Sequence, residues 1–174
     1  MTGKELLTKL LTSYQYSYDI EQPYYIYDDV YAAHASFNAT SSKYVLSKKA
    51  ELWRVDCFEH TLFQCVDCLS VKNVESFLNH VTTYIEPELV CHGKPCPEQN
   101  HMYTYITGIF ICDQGVSEEA KRLVKKYHFL KNYRWGIRGY SEVRLIIFDL
   151  HDRKIFGNRA AKEIVKGYAR AKTI

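Results

Sequence analysis

At 174 residues the chain is long enough to bury a core without help from disulfides or metal. Its 47% hydrophobic and 25% charged composition excludes disordered, collagen-like and membrane-embedded classes. A formal net charge of only +3 conceals a split, because residues 1–120 carry 8 Lys+Arg against 16 Asp+Glu and residues 121–174 carry 15 against 4; a near-neutral total therefore leaves an anionic partner open.

The elements follow in order. Thr2-Gly-Lys-Glu5 has capping-box spacing ahead of Leu6, Leu7, Leu10, Leu11 and Tyr14, which predicts a helix to about Tyr16. Tyr24–Tyr27, a turn at Asp28-Asp29 and Val30–Phe37 read as a hairpin. Asn38–Lys43 reads as a polar turn before strands over Tyr44–Val55 and His60–Val66, with a break at Asp56–Glu59. Ser70 caps a second helix that Pro87 ends, and Glu88–Asn100 is a long loop. Met102–Cys112 is a strand, Ser117 caps a third helix, Val143–Leu150 is a strand, and a last helix starts near Asn158. The expected product is a single α+β domain over residues 1–174, an antiparallel or mixed sheet with helices packed on it. No apolar leader or run of about 18 apolar residues is present, so the chain is expected to be cytoplasmic, to engage no membrane and to keep its thiols reduced.

Three constellations could carry chemistry. Cys65-x-x-Cys68 and Cys91-x4-Cys96, 22 residues apart, supply four thiolates for tetrahedral zinc, although a continuous strand over Thr61–Val66 would point ligands three apart to opposite faces. Cys57 and His60 make a thiol–imidazole pair with no third group. Asp56, Glu59 and Asp67 sit at expected strand ends, where they could gather around Mg²⁺. The basic segment offers Lys125, Lys126, Arg134, Arg138, Arg159 and Lys166 to an anionic partner, nucleic acid or an acidic protein, if the third and last helices pack as neighbours. The alternative is a solvated face, or one neutralised by the acidic first part. Gly136-Ile-Arg-Gly139 has a Gly-x-x-Gly form that also suits an ordinary turn, and no phosphate-binding glycine loop occurs. The leading reading is a non-catalytic binding or accessory role with no cofactor; a Mg²⁺-dependent phosphodiesterase and a zinc-stabilised interaction module are the alternatives.

The order of helices and strands resembles, in topology alone, the restriction-endonuclease-like fold, whose enzymes carry Glu-x-Lys on a strand; here that strand reads Gln64-Cys65-Val66, and Lys49-Ala-Glu51 runs in reverse order. Tyr44–Ala50, Tyr105–Gly108 and Val143–Leu150 resemble stretches of small uncharacterised bacterial proteins collected as a domain of unknown function. That resemblance implies a bacterial cytosolic origin and no particular chemistry.

Overall fold

The Thr2 hydroxyl accepts from the Glu5 amide at 3.3 Å and the Glu5 carboxylate from the Thr2 amide at 2.8 Å, so the capping box forms and opens α1 (Gly3–Tyr14). The computed structural model describes residues 1–44 and 51–174. After α1 come β1 (Asp19–Glu21), then β2 (Tyr24–Ile26) and β3 (Asp29–Tyr31), which pair as a hairpin shorter than expected: Asp29 is in strand rather than turn, and the second strand stops at Tyr31 instead of running to Phe37, the residues from Ala33 on belonging to the next strand.

Two further strands, β4 (Ala33–Tyr44) and β5 (Glu51–Val66), are longer than expected. Asn38–Lys43 is not a turn and Asp56–Glu59 is not a break: both lie in one antiparallel ladder that pairs Asn38 with Phe58 and Thr40 with Asp56. Turn-favouring residues are held in strand here because the long ladder outweighs their local preference. Residues 45–50 of the strand expected over Tyr44–Val55 lie outside the described residues.

Pro87 does not end the second helix. Helix α2 (Val71–His80) continues as a π-helical segment, Val81–Val90, with the proline inside it. Its wider turns, closed by bonds such as Cys91 N–H to Glu86 C=O at 3.0 Å, relax the clash a proline ring makes with the preceding α-helical turn. Then follow β6 (His101–Cys112), α3 (Glu118–Lys126), β7 (Leu130–Asn132), β8 (Tyr140–Asp149), β9 (Lys154–Gly157) and α4 (Lys162–Arg170), the last entered through a 3₁₀ turn at Arg159–Ala161.

Seven strands form one mixed sheet in the order β1-β4-β5-β6-β8, with β7 and β9 both on the outer edge of β8. Only β5, β6 and β8 run parallel. Helices α1 and α4 cover one face over Phe63, Ile109, Ile111, Ile146 and Phe148. Helices α2 and α3, with the π-helical segment, cover the other over Leu62, Ile106, Phe110, Val143 and Ile147. The parallel strands are thus buried on both faces, which is why β6 and β8 read as near-continuous apolar runs. Among the described residues no helix is long and apolar enough to cross a membrane.

Candidate functional site

The two metal constellations do not assemble. Asp56 faces the α2 side, where it accepts from Thr40 Oγ1 at 2.7 Å and Arg54 Nε at 3.1 Å. Glu59, three residues on, faces the α1 side and accepts from Tyr18 at 2.9 Å and Thr107 at 2.7 Å. Asp67 lies past the end of β5, roughly 25 Å along the strand from Glu59 at about 3.3 Å per residue. Strand alternation, once β5 runs unbroken, separates these acids. It likewise sends Cys57 and His60 to opposite faces.

The cysteines separate along the strands. Cys65 is in register with Ile111 and, through it, with Phe148. Cys91 is tied through Glu86 and Tyr133 to Ser141, seven residues back on β8 and roughly 23 Å away. Cys65 and Cys68 are exposed, Cys96 is half-buried, and burial together with the Glu86 carboxylate pushes the Cys91 thiol up to about 12. Among the described residues no three His, Cys, Asp or Glu side chains are grouped to hold a metal ion.

Cations do gather, by a route the sequence did not suggest. Helices α3 and α4 pack on opposite faces of the sheet, not as neighbours. Their basic residues meet around the outer edge instead, in a cleft of about 400 Å³ lined by Lys125 of α3, Phe156 of β9, Arg159, and Lys162 and Lys166 of α4. None of the residues lining it is acidic. The Lys125 ammonium stands 5.7 Å from the centre of the Phe156 ring, and Lys166 reaches out to Glu163 at 2.8 Å. Among the described residues Lys125, Arg159 and Lys162 form no ion pair. Lys125, Arg159, Lys162 and Lys166 were legible as members of the basic segment; Phe156 was not, because only the edge position of β9 puts it there.

Asn158 builds the floor of this cleft. It fills the gap between β7 and β9 by accepting from Leu145 N–H at 3.0 Å and donating to Val143 C=O at 2.9 Å. The same side-chain oxygen accepts from Ala161 N–H at 3.2 Å, starting the turn into α4. The positive end of that helix therefore opens beside Arg159 and Lys162.

Arg134 and Arg138 stand apart, on the Tyr133–Gly139 loop at the start of β8. Lys126 does not line the cleft. The loop places Arg134 (φ 46°) and Trp135 (φ 56°) in the left-handed region, a cost of about 1–2 kcal/mol per residue. Five backbone hydrogen bonds within it, and one from His101 Nδ1 to the Arg138 carbonyl at 2.7 Å, hold that conformation. Its effect is to expose Trp135 to 99% and Ile137 to 76%. Gly136 and Gly139 take positive φ as the turn reading expects.

Behind the loop lies a buried polar network. Glu86, in the π-helical segment, receives Lys131 Nζ at 2.8 Å, Tyr133 OH at 2.9 Å and Cys91 Sγ at 3.2 Å. Burial raises its carboxyl, and these three donors outweigh that and hold it below the ordinary value. Tyr133 in turn accepts from Ser141 at 2.9 Å, and His101 accepts from Thr104 at 2.8 Å. Nearby, His34 stacks on His60 with ring nitrogens 3.1 Å apart, and burial pushes their imidazoles down to about 4 and about 3. Every polar atom named here has a partner, so the network supports the fold and offers nothing to a ligand.

A family described as "Domain of unknown function (DUF8052)" matches residues 2–170. The chain belongs to that family. The DUF8052 match takes in the whole Tyr133–Gly139 loop and every residue lining the basic cleft, and it ends where α4 ends. No curated protein and no solved structure matches this DUF8052 chain.

Proposed function

We propose that the protein binds a phosphate-bearing anion in the cleft between α3, β9 and α4, as a binding or accessory protein without chemistry of its own. The single observation that carries this reading is the convergence of Lys125, Arg159, Lys162 and Lys166 on one concave surface with no acid lining it. Elsewhere on the surface, basic residues such as Lys121 and Arg122 are matched to Glu118 and Glu119 within their own helix, the pattern of a solvated face. In the cleft Lys166 is likewise paired within its helix, with Glu163, but Lys125, Arg159 and Lys162 are left without an acid, an arrangement an incoming anion relieves. Arginine supplies a planar fork for two phosphate oxygens and the lysines supply point charges. A cytoplasmic location belongs to the same proposal, supported by six cysteines that all stand as free thiols.

Titration calorimetry with tripolyphosphate at ~50 mM salt tests the reading. Binding is expected to weaken as salt rises, because the screening length is only about 10 Å at 0.1 M. It is expected to vanish in an Arg159→Glu/Lys162→Glu double variant. Absence of binding to the wild type, or equal binding to the variant, overturns the cleft as the site.

A further inference from the structure

We propose that the outer edge of the sheet binds single-stranded nucleic acid, with Trp135 as the stacking platform for a base. The inference rests on the cleft reading above for its phosphate contacts and adds a second, separately testable contact.

Trp135 is 99% exposed on a loop that is locked, not loose. The locked backbone fixes where the ring is presented, and both of its faces are open, so a base can stack on it without displacing a packed neighbour. Arg134 and Arg138 flank it and have no carboxylate partner among the described residues, so the charge beside the ring favours a polyanion. Next to the loop is a hollow of about 390 Å³ lined by Arg54, Gln99, Asn100, Met102 and Tyr140. The two amide side chains, and the Arg54 nitrogens that Asp56 does not take, can hydrogen-bond the edges of an unstacked base, and Met102 and Tyr140 can cover its faces. A lipid surface would bury Trp135 and Ile137 equally well, but it would leave those amides without partners.

Loop and cleft lie on the same edge. The loop leads into Tyr140, and Gly157 of the cleft pairs with Ile146, six residues along β8. At about 3.3 Å per residue the two are roughly 20 Å apart, which a strand stacked at the duplex rise of about 3.4 Å per phosphate spans in roughly six nucleotides and an unstacked, more extended strand in fewer.

Fluorescence anisotropy with labelled oligouridine of 4, 6, 8 and 12 nucleotides reads the proposal out at ~50 mM salt. Affinity is expected to climb with length and to level at or before about six nucleotides. Trp135→Ala is expected to weaken the 12-mer by roughly 5- to 150-fold, the value of one stacked base, and Trp135→Phe to restore most of it. Tripolyphosphate binding is expected to be the same in all three proteins. If tripolyphosphate fails to bind but the 12-mer depends on Trp135, the cleft reading falls and the stacking contact stands. No binding of the 12-mer, or equal binding by Trp135→Ala, overturns the inference. So does Trp135-dependent binding to phosphatidylserine vesicles without oligonucleotide binding, which would assign the loop to a lipid surface.

Discussion

Tyr133 and Trp135 are two residues apart, and Lys131 and Lys125 six, yet each pair divides between opposite fates. Tyr133 is 3% exposed, with its hydroxyl bonded to Glu86 and Ser141; Trp135 is bare. The Lys131 ammonium lies against a buried carboxylate, while that of Lys125 stands over an aromatic ring and forms no ion pair among the described residues. Residue type does not separate the two regions. What separates them is whether each polar group has a partner inside the molecule: satisfied groups hold the fold, and unsatisfied ones on the outer edge are free to hold something else.

The contrast breaks if perturbing the interior proves harmless. Glu86→Ala strips three donors of their acceptor and is expected to cost about 3 kcal/mol, read as a melting temperature lowered by roughly 6–12 °C. The acid sensitivity that a single buried imidazole contributes is the next largest effect. The unfolded chain's imidazoles take up protons near pH 6.5, whereas folded His34 and His60 resist until about 4 and about 3. The folded state thus binds fewer protons, and stability falls as pH drops through 6.5. Between pH 6.5 and 5 each imidazole accounts for about 1.5 kcal/mol of the loss, and a His34→Gln variant should show a visibly shallower decline in melting temperature over that interval.

Smaller effects sharpen the contrast at its boundary. Gly139 joins the exposed loop to the interior; a Cβ there would run into the Met102 carbonyl, and its φ of 70° disfavours any side chain. Gly139→Ala should cost more than about 1 kcal/mol in denaturant unfolding. The smallest effect belongs to the edge itself: Arg159→Glu/Lys162→Glu should leave stability within about 0.5 kcal/mol of wild type while anion binding is lost. A large destabilisation there would mean that these cations are structural after all.

How far the sequence shows this can be seen residue by residue. The α1 capping box, the α2 and α3 caps at Ser70 and Ser117, and the apolar runs of β6 and β8 are local signals, and each element stands where its signal puts it. The polar stretch Asn38–Lys43 reads as turn because nothing local reports the ladder with β5 that holds it extended. Pro87 reads as a helix end because α-helical geometry is the usual one, and a π-helical segment has no signature in residue order. Edge strands of three and four residues, β7 and β9, are too short for a periodic pattern. Without them the sheet edge, and hence the meeting of Lys125 with Arg159, is invisible. The basic segment was legible as composition; its division into a cleft and a separate loop depends on topology.

The two parallel pairings at the centre of the sheet also govern how the chain reaches this state. Phe58 meets Thr104 and Tyr103 meets Tyr140, so they join residues 46 and 37 apart in sequence. Contacts of such separation delay the transition state until long loops have closed, which places folding on the millisecond-to-second scale rather than in microseconds. The β4–β5 ladder is local and can form early; β8 can pair locally with β7 and β9 but joins the sheet only once β6 is in place, and the cleft draws residues from both sides of β8 in sequence. Recovery of anion binding during refolding should therefore lag behind recovery of strand signal, making the ligand a reporter of the last step.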